Sequence, residues 1–316
     1  MTDIIIPPKK SIVLDATTFN TFLSCEQKVD LAFNRSLMSI HGKSHGLECG
    51  SIVHKILEVY YWHVIRNFPR ATAIGNGMIA GQLYYTGCPT CTNSDEEAPS
   101  CGHHPNEYPG VQNVPLESMS KPFRRTGYNW IVETMDQYFE HYKNEHWVPL
   151  ECEQVKGKVL YEDDEIRILW KAKLDVIVDT NQGIVSVDHK TMSQDRMSSD
   201  LNNQFMGQCL VSDTRMMIVN KIGFQTSKKP EEKFKRIVMS YSPARLIEWQ
   251  SETLPRHVYN YLNCHETNYW PMRHTHCEDK YGKCQFHDVC SVDPILREDE
   301  LRLNFMVGDK WDPANI

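Results

Sequence analysis

The chain has 316 residues, 41% of them hydrophobic and 24% charged, and a formal net charge of −7. That composition excludes a disordered chain and a polycation that coats nucleic acid by bulk attraction, and it leaves room for one large domain or two. No run of about 18 apolar residues occurs, and the opening MTDIIIPPKK is too short in apolar residues for a secretory signal, so a cytoplasmic protein without membrane contact is expected.

In chain order, ATTFNTFLSCEQKVDLAFNRSL (16–37) reads as a helix with a threonine cap, and LECGSIVHKILEVYYWHVIRNF (47–68) as a second, more apolar one. On the second, Val53, Ile56, Leu57, Tyr60 and Val64 form an apolar stripe with His54, Glu58 and Tyr61 on its flank. Residues 70–125 change character, rich in Gly, Pro, Ser and Asn, and read as an insertion. TGYNWIVETMDQYFEHYKNEH is again helical. The period then switches to two, and QVKGKVLYE, IRILWKAKLDVIVD and GIVSVDHK read as three strands joined by DDE and TNQG turns. LNNQFMGQCLVSDTRMMIVN reads as helix, KIGFQTS and KRIVMSYS as strands, and PARLIEWQSETLPRHVYNYLN as a helix with an early proline. The order implies an α/β fold, a mixed sheet with helices packed on it. Four regions are expected: N-terminal helices (1–69), the insertion (70–125), a core (126–265) and a cysteine-rich tail (266–316).

Strand alternation places Ala172, Leu174, Val176 and Val178 on one face and Lys173, Asp175, Ile177 and Asp179 on the other. On the next strand Ser186, Asp188 and Lys190 share a face. If TNQG closes a hairpin, Asp179 pairs with Ile184 and Asp175 falls opposite Asp188, with Cβ atoms about 5 Å apart. Like charges so placed destabilise a sheet, and a divalent cation removes the fault. Lys190 would stand beside it, ready to orient water and offset phosphate charge. An exposed face carrying Lys and Asp is the alternative. Local basic patches, Lys228, Lys229, Lys233, Lys235 and Arg236 in one segment and Lys121, Arg124 and Arg125 in another, are either nucleic-acid contacts or solvated loops.

Eleven cysteines are unusual for a cytosolic chain, where clustered thiols more often bind metal than form disulfides. Within the insertion, CPTC followed by CGHH gives Cys88, Cys91, Cys101 and either His103 or His104 a plausible zinc spacing, the alternative being free thiols in a loop. Cys277, Cys284 and Cys290 lie together in the tail.

These motifs resemble the RecB-like branch of the PD-(D/E)xK nucleases, especially phage-type exonucleases and CRISPR adaptation nucleases with an iron-sulfur cluster. GSIVHKILEVYY looks like the family's G-x-x-x-H-x-x-x-E helix, KLDVIVD its aspartate strand and VDHKT its D-x-K-T strand. The resemblance implies a restriction-endonuclease-like core. It implies that His54, Asp175 and Asp188, with the backbone carbonyl of His189, hold Mg²⁺ or Mn²⁺, and that Lys190 is the catalytic lysine. Gln204 matches the first position of the family's Q-x-x-x-Y helix, while Gln208 stands in place of the tyrosine. It further implies that Cys25 joins Cys277, Cys284 and Cys290 in a cluster tying the two ends of the chain. Four thiolates suit 4Fe–4S or zinc, and the resemblance favours 4Fe–4S. The expected function is a metal-dependent deoxyribonuclease, exonuclease rather than endonuclease, in DNA recombination or replication of a phage or bacterial cell. DNA is the expected partner, with a single-strand annealing protein or a separate helicase alongside. A non-catalytic DNA-binding or scaffold subunit is the competing reading.

Overall fold

A computed structural model describes residues 9–40, 45–86, 128–192, 201–279 and 282–313. In chain order the elements are β1 (Lys10–Leu14), α1 (Ala16–Ser24), α2 (Glu26–Val29), β2 (Leu37–Ser39), α3 (His45–Ile65), α4 (Arg70–Thr86) and α5 (Tyr128–His141). They continue with β3 (Val148–Glu162), β4 (Ile166–Thr180), β5 (Gly183–Met192), α6 (Asn203–Val211), β6 (Met216–Gly223), α7 (Pro230–Lys233) and β7 (Phe234–Ser240). The last are α8 (Pro243–Glu248), α9 (Leu254–Thr267), β8 (Glu278–Asp279), β9 (Gly282–Lys283), α10 (His287–Ser291), α11 (Arg297–Asn304) and β10 (Phe305–Val307).

Six strands, β1, β3, β4, β5, β6 and β7, form a mixed sheet with helices on both faces, so the chain is α/β. One core cluster joins Phe19, Trp170, Leu174, Phe205, Met217, Trp249 and Val258, from β4, β6, helices α1, α6 and α9 and the helical turn (Trp249–Thr253) between α8 and α9. The other joins Ile52, Val53, Ile56, Ile131, Met135, Val176, Val178 and Val187, from β4, β5 and helices α3 and α5.

β4 organises the sheet. Along one edge β3 pairs with it antiparallel for nearly its whole length. Along the other edge β1 pairs parallel with Ile166–Trp170 and β5 pairs antiparallel with Val176–Thr180. Both must lie on that second edge, because Ile168 pairs with β1 and β3 at once, as Val176 does with β5 and β3. Residues 171–175 fall between the two partners. There the alternation breaks: Ala172 and Leu174 pack in the first cluster, Val176 and Val178 in the second. The expectation of one continuous apolar face along 172–178 is therefore corrected. β4 turns as it passes from one neighbour to the next, and Asp175 lies at the turn.

Several boundaries also differ from expectation. The first helix ends at Ser24, where Cys25 is extended (φ −167°, ψ 120°), and Asp15 rather than a threonine caps it by accepting from the Thr18 amide. The segment from 70 begins as a regular helix: α4 lies on α3, and a Cβ at Gly81 would stand 2.4 Å from Ile56 Cγ1. The helix expected over 201–220 stops at Val211. Asp213, at φ 54°, turns the chain into β6, so MMIVN is strand and β6 ends at Gly223. The cysteine and histidine positions 88, 91, 101, 103 and 104, with Lys121, Arg124 and Arg125, lie outside the described residues. Among the described residues no helix is long and apolar enough to cross a membrane.

α6 sits close over Trp170. A Cβ at Gly207 would stand 2.4 Å from the indole Nε1. Gly207→Ala is expected to cost about 1–3 kcal/mol by overpacking, read as a lower denaturation midpoint, and to push α6 away from the sheet it serves.

Candidate functional site

The site lies where β4 and β5 part. The hairpin register is the expected one, with Asp179 opposite Ile184, and the ladder runs to Val176 and Val187. One step further Asp175 does not continue it. Its Oδ2 instead accepts from the His189 amide at 2.7 Å, a side chain replacing a backbone ladder bond at the fork. Because N–H and C=O of one strand residue point the same way, the His189 carbonyl also faces the gap, where it meets His54.

His54 comes from α3, whose apolar stripe buries Val53, Ile56 and Leu57 and so fixes the helix against β4 and β5. Its Nδ1 is 3.6 Å from Asp175 Oδ2. Burial holds the imidazole below its ordinary pKa, against the pull of Asp188 and Glu153, and so favours the neutral form that ligates metals. The His189 side chain is fully buried, stacked on Tyr61, and receives a hydrogen bond from Asn220 at 2.8 Å on Nδ1. His189 therefore faces the site through its main chain.

Glu153 of β3 completes a group that sequence reasoning missed. Ligand atoms of His54, Glu153 and Asp175 all lie within 4.8 Å of one another. Glu153 has a positive φ of 52° and sits opposite Asp175 where the β3–β4 ladder skips a pair. Its carboxylate is ion-paired with Lys173 at 2.6 Å. Burial, then the Asp175 charge, raises its pKa; burial, then the Asp188 charge, raises that of Asp175. Glu153 and Asp175 thus share a half-buried spot with one imidazole, and Asp188 is within electrostatic reach; carboxylate oxygens are the donors a hard divalent cation prefers.

Asp188 stands beside this group rather than inside it. Gln204 Nε2 donates to its Oδ1 at 2.8 Å and Gln208 Nε2 at 3.3 Å, both from α6. Lys190 Nζ lies 2.9 Å from Oδ2, an oxygen that has no well-aligned hydrogen bond, and 3.3 Å from Gln204 Oε1. Burial works to lower the Lys190 pKa, but the Asp188 charge, its hydrogen bond to the amine and the Asp175 charge together outweigh it, so the amine stays protonated. The helix reaches this position because Asn202 caps it and Gly207 lets it approach Trp170. Gln208, 4% exposed, points to the acid and not to solvent.

A second constellation lies near the chain's ends. The break after Ser24 presents Cys25, whose sulfur faces the Arg273 amide at 3.5 Å. Arg273 also binds Glu26 with two guanidinium nitrogens. The β8–β9 hairpin brings Cys284 back to Cys277, its amide donating to the Cys277 carbonyl at 2.8 Å, and α10 supplies Cys290. Cys25, Cys277, Cys284 and Cys290 line one cleft of about 320 Å³ with Leu31 and Phe286. Burial, then the other three thiols, pushes Cys290 up to about 11. None of the eight described cysteines is in a disulfide.

The basic segment that runs into β7 divides. Arg236 lies over the Tyr142 and Trp147 rings and is paired with Glu145, a structural role, whereas Lys233 and Lys235 face a cleft beside β6.

No protein-family model and no curated protein matches the chain. A solved structure, that of SSO0001, is similar over 46% of this chain and 63% of its own, at 9% identity and a TM-score of 0.28. The chain thus spans less than two thirds of that protein's length.

Proposed function

We propose that this chain is a divalent-metal-dependent deoxyribonuclease of the PD-(D/E)xK type. The observation that carries the reading is the meeting of His54, Glu153 and Asp175 at a strand fork, with Asp188 and Lys190 alongside. A lone D-x-K pair on a sheet is unremarkable; one aligned with two further acids and a neutral imidazole is a donor set built for a cation. His54, Glu153, Asp175 and the His189 carbonyl would hold Mg²⁺ or Mn²⁺. Bound there, the ion would supply Lewis-acid polarisation of a phosphodiester and a water acidic enough to attack it.

The chain's own groups have separate tasks. Lys190, kept protonated by Asp188, donates to the attacking oxygen or to the phosphoryl oxygen and offsets charge that grows there. Gln204 bridges the two, donating to Asp188 Oδ1 and accepting from the Lys190 amine. Gln208 fixes Asp188 from behind. DNA is the substrate on this reading, exonucleolytic digestion in recombination or replication the setting, and an annealing protein or helicase a partner.

The thiol set supports a structural 4Fe–4S cluster. Its donors fit: four sulfurs line one cleft, and burial and the neighbouring thiols raise Cys277 and Cys290. Four thiolates suit zinc as well as iron, and the resemblance to cluster-bearing nucleases is what favours 4Fe–4S. Cys25, Cys277, Cys284 and Cys290 would hold the cluster, which supplies a cross-link between chain ends.

The test is digestion of a labelled linear duplex with Mg²⁺ or Mn²⁺ against an EDTA control. Metal-dependent release of nucleotides supports the nuclease; intact DNA under every metal leaves the scaffold reading. A narrower expectation concerns Glu153: Glu153→Gln should weaken Mn²⁺ binding by about 10- to 100-fold in calorimetric titration. Unchanged affinity would reduce Glu153 to a partner of Lys173.

A further inference from the structure

Side chains along β5 alternate between its two faces, so Asp188 and Lys190 meet α6 while His189, between them, meets α3. There its imidazole fits against two rings of one helix. Tyr61 stacks on it at 5.6 Å with 12° between the ring planes, and the His54 ring meets it edge-on at 6.2 Å. His54 and Tyr61 are about two turns apart, on one face of α3. Asn220, in register with His189 on β6, holds the ring from the sheet: its Nδ2 is 2.8 Å from His189 Nδ1 and 2.8 Å from the Tyr138 hydroxyl of α5.

This pair is expensive to bury. His189 is 1% and Asn220 0% exposed, and His189 Nε2 and Asn220 Oδ1 have no hydrogen-bond partner among the described residues. A phenylalanine against a leucine would fill a similar volume and leave no polar atom unmatched. What an apolar pair lacks is direction. A hydrogen bond fixes the rotation of the ring, and with it the peptide to which the ring is attached. That peptide binds Asp175 Oδ2 through its amide at 2.7 Å and meets His54 through its carbonyl. One residue thus touches both His54 and Asp175, by its ring, its amide and its carbonyl.

We propose that the His189 side chain, oriented by Asn220, is a positioning residue of the metal centre and sets its selectivity between cations. It fixes the separation of α3 from β5, and hence the approach of His54 to Asp175 and to the His189 carbonyl. The ligands are those of the nuclease reading, on which this inference rests. Small octahedral cations demand a fixed frame, whereas Ca²⁺ accepts a flexible one. Loosening the frame therefore costs Mg²⁺ and Mn²⁺ more than it costs Ca²⁺.

Calorimetric titration with Mn²⁺ and with Ca²⁺, beside thermal melting in EDTA, tests it. The double variant His189→Phe with Asn220→Leu replaces both polar partners by apolar groups and leaves the Tyr138 hydroxyl with Arg236 beside it. It is expected to melt at or above the wild-type temperature in EDTA, since removing both partners strands neither. Its Mn²⁺ affinity should nonetheless fall about 10- to 100-fold, and its Ca²⁺ affinity less than about threefold. Asn220→Leu alone should lose as much Mn²⁺ affinity and also melt lower, because His189 Nδ1 is then unmatched. Asn76→Leu breaks a like bond to His63 Nε2, 2.8 Å long and about two and a half turns along α3 from His54, and should leave the ratio of Mn²⁺ to Ca²⁺ affinity unchanged. Folded variants with wild-type Mn²⁺ affinity overturn the positioning role. So does an equal loss for both cations, which marks a general loosening. Wild type that binds Mn²⁺ and cleaves no DNA, with the variants losing Mn²⁺ selectively, leaves the positioning role standing and removes the nuclease. Wild type that binds neither cation removes the metal centre and both readings with it.

Discussion

Lys190→Ala is expected to slow metal-dependent DNA hydrolysis by about 100- to 10,000-fold in single-turnover assays, with DNA affinity in Ca²⁺ changed far less. The amine is held by Asp188 and Gln204 and not by the core, so its removal spares the packing on both sides of the sheet. It also leaves Asp175, Asp188 and Glu153 with less positive charge among them. The variant should therefore melt lower than wild type in EDTA, and divalent cation should recover more stability for it than for wild type. Both readouts have the same origin. A variant that cleaves at the wild-type rate would remove the lysine from the reaction, whatever its melting behaviour.

The second large effect concerns the thiols. On the proposed cluster, Cys284→Ser is expected to abolish the visible charge-transfer absorption that a 4Fe–4S centre would give anaerobically purified protein, with loss of iron and sulfide. Cys25 and Cys277 are far apart in sequence, so a centre joining them closes a loop of about 250 residues. Losing such a cross-link costs about 2–5 kcal/mol, or roughly 4–15 °C in a domain of this size. The loss should be felt first where Arg273, Glu26 and Cys25 meet, because those contacts form against the cleft wall. Wild type with zinc in place of iron would keep the stability effect and lose the colour, separating the staple from its metal.

How far the sequence went can be judged from particular residues. The TNQG turn and alternating Val residues set the β4–β5 register correctly, since a short hairpin leaves few alternatives and both faces are apolar. His54 could be placed on α3 by helical periodicity, and Lys190 beside Asp188 by parity. Glu153 was out of reach: it sits 22 residues before Asp175 in a strand without a clean alternation, and it enters the site through a left-handed backbone position. A glutamate in ECEQ at the head of the strand run was the available signal, and it is weak. MMIVN was misjudged because a four-residue apolar run fits a buried strand as well as a helix. Asp213 and Thr214, a turn pair, mark the true boundary. The role of Gln208 could not be read at all, because which way a side chain points from α6 depends on Gly207 lying against Trp170.

β4 changes neighbours in mid-course, and this carries a cost at its first half. Five residues of β1 are all that cover Ile166–Trp170 on that edge. A chain shortened to begin at Ala16 would bare a row of main-chain donors and acceptors, and such rows recruit strands from other molecules. Its first failing would be concentration-dependent self-association, seen in light scattering, long before any change in the chemistry at the fork.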